Sequence, residues 1–165
     1  MMKRPLFFSF LALAIMFMVM RQDGLSLLTP VSPRGILDLE FCKTPERLLQ
    51  LRLFLDNSAV VRNIYLDFLF IGAYTWFLVT ASIFTINRLQ WKKWGHWAKG
   101  LALSAAFFDA GENFLMLLVW DGRFSPSLMH LVFYIALIKF VLAGLVVLYL
   151  LGSLPFLLKR RTSVP

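Results

Sequence analysis

The stretch from Trp97 to Trp120, "WAKGLALSAAFFDAGENFLMLLVW", places Asp109, Glu112 and Asn113 close together in an otherwise apolar run. It is long enough to cross a hydrocarbon core, which takes roughly 20 residues of helix. At about 3.6 residues per turn, Asp109, Glu112, Asn113 and Met116 fall on one side, together with Ala102, Ala105, Ala106 and Ala110. Leu103, Phe107, Phe108, Phe114, Leu115 and Leu118 cover the rest. Small residues at four-residue spacing let helices approach closely in lipid, so the polar side is predicted to face other helices.

The rest of the chain supplies those helices. Hydrophobic residues make up 59% of the 165, Phe alone occurs 17 times, and mean hydropathy is strongly positive. An ordinary soluble domain is nearer half apolar. Four stretches approach or meet the spanning length: Pro5–Met20, Ile64–Ile86, Trp97–Trp120 and Leu128–Leu151. They predict an all-α polytopic membrane protein with four transmembrane helices, organised as a single membrane domain over residues 1–165. The first stretch follows a basic start, Lys3-Arg4, as a secretory signal does. Met18-Val19-Met20-Arg21 offers no small-x-small cleavage site, so an uncleaved anchor is the better reading.

The formal net charge is +8. Lys3, Arg4, Arg88, Lys92, Lys93, Lys99, Lys159, Arg160 and Arg161 lie in the termini or at the turn between the second and third spans, segments that hold no Asp or Glu. The short turn after Trp120 has Asp121 and Arg123, and the long loop mixes both signs. Basic residues concentrated beside spans are the positive-inside pattern. Both termini are therefore expected in the cytoplasm, with residues 21–63 outside, and a multi-pass location in a bacterial inner membrane. The basic excess reads as topology and contact with anionic lipid rather than as a nucleic-acid footprint. The three Trp interleaved with basic residues in "RLQWKKWGHWAK" read as an interfacial belt.

Within the long loop, "RQDGLSLLTPVSPRG" is rich in Pro, Gly and Ser and is expected to be irregular. Thr44-Pro45-Glu46 then reads as an N-cap, a proline at the first helical position and an acidic first turn. Leu48, Leu51 and Leu55 follow on one face, with Arg47 and Arg52 elsewhere on the surface. That predicts a short amphipathic helix, lying on the outer membrane face or, preferably, capping the bundle. The lone Cys42 excludes an intrachain disulfide and reads as a small, partly buried residue. No Cys/His spacing suggests a metal site, and no cofactor motif is present. The tail "LKRRTSVP" reads as a short disordered end.

Other spans supply partners for the polar side. Asp67 and Tyr74 share a face of the second span with Asn63, Ala81 and Thr85. Lys139 is the one charge of the fourth span, with Ile135, Ala136 and Ala143 beside it. Counting inward from Trp97 and from Leu151 at about 1.5 Å per residue, Asp109 and Lys139 each lie about 18 Å from the cytoplasmic end. They are level. Glu112 lies a turn nearer the outside and Asp67 nearer still. His130 falls on the opposite side of its helix from Lys139, and His96 sits in the basic turn, so neither is expected in the cluster. A charge at bilayer depth costs at least about 2.5 kcal/mol and requires a partner, water or a proton. Lys139 neutralises one of Asp109 and Glu112 but not both. The remainder requires a protonated carboxyl or a bound positive group.

"GILDLEF", "YLDFLFIGAYT", "DAGEN" and "IKF" together resemble a set of short motifs in uncharacterised bacterial four-span inner-membrane proteins. The resemblance implies a four-helix membrane fold, brings no assigned activity, and would add Glu40 to Asp67, Tyr74, Asp109, Glu112, Asn113 and Lys139. Three functional readings stay open. In the first, the cluster fixes helix register, in a larger membrane complex or a homo-oligomer. In the second, it binds or transports a proton, a cation or a lipid headgroup. In the third, Asp109 and Glu112 act as acid and base on a lipid, with Tyr74 orienting it. No recognisable nucleophile supports the third, and the chain leans away from an enzyme.

Overall fold

The computed structural model describes residues 3–159. Among them there is no strand. Six α-helices run in the order α1 (Lys3–Gly24), α2 (Leu37–Glu40), α3 (Pro45–Phe54), α4 (Asn57–Leu89), α5 (Lys92–Trp120) and α6 (Pro126–Lys159), with a 3-10 turn at Leu25–Leu27. Helices α1, α4, α5 and α6 are long and apolar enough to cross a membrane. Each extends beyond the limits that hydropathy sets, because polar residues such as Asn57, Arg62, Lys92 and Lys93 continue the helix past its apolar stretch. The expected disordered tail lies at residues 160–165, outside the described ones, while Leu158 and Lys159 belong to α6.

Local chemistry sets the helix ends. Asp56 caps α4 by accepting a hydrogen bond from the Ala59 amide at 2.8 Å. At the other end Gln90 adopts a left-handed conformation, φ 62°, and α5 starts two residues later. The α4–α5 turn is tight because Gly95 has no side chain: a Cβ there would lie 2.1 Å from Ile86 Cγ1. Tight turns of this kind force α4 and α5 to be antiparallel neighbours.

The bundle is built on α4, α5 and α6. Helix α5 packs against both α4 and α6, whereas α1 packs on α4. A hydrogen bond between Ser9 and Thr80 hydroxyls, 2.8 Å long, ties α1 to α4. Two apolar clusters fill the interior. One lies at the end that carries the long loop and joins Leu27, Leu39, Leu48, Leu51, Ile64, Met116 and Met129. The other lies toward the opposite, basic end and joins Leu78, Ala98, Ala102 and Val146.

Helix α3 caps the bundle, as its pattern predicts. Thr44 Oγ1 accepts from the Arg47 amide at 3.3 Å, and Leu48, Leu51 and Leu55 are buried. Arg47 is not simply a surface residue, since it donates to the Val31 carbonyl at 2.6 Å and so fastens the preceding loop. That loop is also more ordered than its Pro and Gly content suggests. Helix α1 continues to Gly24, and Arg62 and Asn63 on α4 bind Asp23 at 2.5 and 2.9 Å. Cys42 is buried outright, at 4% exposure, rather than partly.

Candidate functional site

A polar cluster lies between the two apolar clusters, near the middle of α4, α5 and α6. On α5 Ala102, Ala105, Asp109, Glu112, Asn113 and Met116 are buried and Leu103, Phe107 and Phe114 are exposed, as read, whereas Ala106 and Ala110 of the polar side and Phe108, Leu115 and Leu118 of the other side are half-buried. Asp67 and Tyr74 reach in from α4 and are half-buried. Lys139 reaches in from α6 and is 6% exposed.

Lys139 Nζ is the centre. It donates to Asp109 Oδ1 at 2.7 Å and lies 2.8 Å from Glu112 Oε2 and 3.5 Å from Glu40 Oε2. The level depths of Asp109 and Lys139 therefore end in contact. An ammonium has three N–H donors, and three carboxylates gather around this one, of which its single charge can balance one. Asp109 is fully served, because the Tyr74 hydroxyl donates to its Oδ2 at 2.9 Å. A second link joins α4 to α5 above this, where Asn113 Nδ2 donates to Asp67 Oδ2 at 2.7 Å.

Glu112 is different. Its side chain is 0% exposed, and its Oε1 has no hydrogen-bond donor. Its Oε2 lies within hydrogen-bonding reach of the Lys139 ammonium at 2.8 Å. A buried polar group without a donor costs about 1–3 kcal/mol and more when charged. Four carboxyl groups with one ammonium make the cluster strongly acidic if all four are ionised, in surroundings where charge is expensive.

Glu40 arrives from the long loop. Ser32 Oγ donates to the Gly35 carbonyl at 2.8 Å, and Gly35 takes φ 64°, a turn that favours glycine. Arg34 then clamps Asp38, with its amide 2.8 Å from Oδ2 and its guanidinium 2.6 Å from Oδ1. Burial pushes the Asp38 carboxyl upward, but these Arg34 bonds and charges outweigh it and hold it below its ordinary value. Phe41 packs on Phe133 and Phe140 of α6, with centroids 5.7 and 5.9 Å away. The short helix α2 is thus pressed against α6, and Glu40 points to Lys139. Burial, opposed by Lys139 and reinforced by Asp67 and Asp109, pushes the Glu40 carboxyl up to about 7.

Helical periodicity finds the α4, α5 and α6 residues of this cluster. Glu40 has no such signal and is reached only through the short-motif resemblance. Asn63 shares the α4 face with Asp67 but binds Asp23 instead, a residue that sequence reasoning missed. His96 and His130 stand outside the cluster, each exposed and bonded to a carbonyl one turn earlier, Lys92 at 2.5 Å and Pro126 at 2.7 Å. Among the described residues no group of three or more His, Cys, Asp or Glu is placed to hold a metal ion. No protein-family model, curated protein or solved structure matches the chain.

Proposed function

We propose that this four-span bundle binds and releases protons at the cluster of Glu40, Asp67, Asp109 and Glu112 around Lys139. The observation that carries this reading is Glu112, wholly buried beside Lys139 with no hydrogen-bond donor on Oε1. A pair built only to fix helix register needs one carboxylate for one ammonium. Here the carboxyl groups outnumber the ammonium, and the surplus is balanced by protons or by another cation. Lys139 Nζ already occupies the point where three carboxylates converge. A second cation there would meet the ammonium, which favours protons. Proton exchange runs on the loop side through Glu40, because the apolar cluster of Leu78, Ala98, Ala102 and Val146 closes the other side. In a bacterial inner membrane with the basic end in the cytoplasm, that side is the periplasm.

Infrared difference spectroscopy on the protein in lipid tests this. A protonated carboxyl band is expected at neutral pH, shifting in D2O and lost in Glu112→Gln. Absence of such a band in the wild type would overturn the reading.

A structural role, within a membrane complex or a homo-oligomer, is the second reading. Asp109 favours it, since Lys139 and Tyr74 satisfy its two oxygens and so lock α4, α5 and α6 together. Under that reading Glu112→Gln leaves the phenotype of a complemented deletion strain unchanged, whereas under the proton reading it does not.

A further inference from the structure

We propose that the groove between α1 and α6, floored by α4, is a binding site for an anionic phospholipid. The groove encloses about 560 Å³ and is lined by apolar side chains that include Phe7, Phe10, Ala81, Leu150, Leu154 and Leu157. That size falls within the roughly 300–1,000 Å³ of ordinary ligand sites. It exists because α1 packs on α4, while α6 is held by α5 and α4. Phe10 against Phe77, centroids 5.8 Å apart, closes one wall. The two polar residues of the lining, Thr85 and Ser153, are already satisfied, bonding to carbonyls of their own helices at 3.0 and 2.7 Å. The groove therefore presents a hydrocarbon surface and selects a hydrocarbon chain.

The headgroup is selected by charge. All three lining helices carry a basic residue at the end where the groove lies: Arg4 at the start of α1, Arg88 in the last turn of α4 and Lys159 in the last turn of α6. Residues 1–10, 86–100 and 150–165 contain no Asp or Glu. A lipid tail gains no hydrophobic free energy by leaving bilayer for groove, so shape and headgroup charge decide which lipid stays. Basic residues at the same end of all three lining helices favour a phosphate headgroup with net negative charge over a zwitterionic one.

The test is native mass spectrometry of the full chain purified with equimolar phosphatidylglycerol and phosphatidylcholine. The wild type is expected to retain phosphatidylglycerol in preference. Replacing Arg4, Arg88 and Lys159 together by Gln should lower that retention at least about fivefold, the worth of even a single basic residue near the surface. Leu154→Trp fills the groove from a position that is 48% exposed, so the core stays intact, and should lower retention of both lipids. Equal retention of the two lipids by the wild type overturns the proposal. So does a triple variant, or a Leu154→Trp variant with an unchanged thermal midpoint, that holds phosphatidylglycerol as the wild type does.

Discussion

Glu112 Oε2 stands 2.8 Å from Lys139 Nζ, yet Oε1 of the same wholly buried carboxyl has no hydrogen-bond donor. Asp109, one turn away, binds the same ammonium and also a tyrosine hydroxyl. Two carboxylates on one helix face thus share one cation on unequal terms. The inequality makes their substitutions separable.

Removing Lys139 should hurt the fold in a way that one compensating change does not repair. Breaking a buried ion pair from one side costs about 3–5 kcal/mol, whereas replacing both partners by apolar residues is often near neutral. Lys139→Met should therefore lower the thermal midpoint in detergent by the equivalent of about 3 kcal/mol, proton uptake by the carboxyl groups softening the loss. Adding Asp109→Leu should recover only part of it, because Glu40 and Glu112 still face the vacated site. Adding Glu112→Met as well should recover more. Full recovery in the double variant would mean that Asp109 alone is the partner of Lys139.

Glu40 gives the stability a defined pH dependence. Its folded value of about 7 lies above the ordinary 4.5. Between those values the folded chain holds a proton that the unfolded chain has released, so raising the pH through that window removes stability. The loss is bounded at about 3 kcal/mol by the size of the shift. Below the window both states are protonated and Glu40 adds no further dependence. Thermal midpoints measured across this range should fall with rising pH in the wild type, and the slope should flatten in Glu40→Gln. An equal slope in both proteins would remove Glu40 as the cause.

The α4–α5 turn depends on a missing side chain. Gly95→Ala sets a methyl 2.1 Å from Ile86 Cγ1 and 3.3 Å from the Tyr149 hydroxyl. Overpacking of this kind typically costs about 1–3 kcal/mol. Gly111→Ala is the control, since nothing lies within 4 Å of its added methyl. It should be neutral or stabilising by up to about 1 kcal/mol, the helix-propensity gain of Ala over Gly. Thermal unfolding of the two variants side by side checks the contrast, and Ile86→Ala should relieve the first.

The charge pattern predicts a topology that labelling can test. In a Cys42→Ser background, a cysteine at Gln50 on α3 should react with a membrane-impermeant thiol reagent on intact spheroplasts. One at Lys93 on α5 should react only after lysis if the basic end faces the cytoplasm, as the positive-inside pattern predicts. Both positions are exposed on the protein surface. Labelling of Lys93→Cys on intact spheroplasts would reverse the orientation.

Much of the bundle is written locally. Period 3.6 alone places Ala102, Ala105, Asp109, Glu112, Asn113 and Met116 on one face of α5, because backbone geometry fixes which side chains share a side whatever they pack against. Rise per residue sets Asp109 and Lys139 level on two helices joined by a short turn, and contact at 2.7 Å is the outcome. Thr44, Pro45 and Glu46 announce α3 because capping chemistry acts within a single turn.

What the tertiary structure alone decided is the meeting of segments with no common period. Glu40 reaches Lys139 through the φ of Gly35, the Arg34–Asp38 clamp and the seating of Phe41 on α6. Asp23 likewise meets Arg62 and Asn63 only once α1 lies along α4. A loop's path is the net result of packing on surfaces that other segments provide, so the residues within it carry no repeat that would reveal its destination. Sequence therefore determines which faces are polar and how deep they lie, and packing determines that three carboxylates share one lysine.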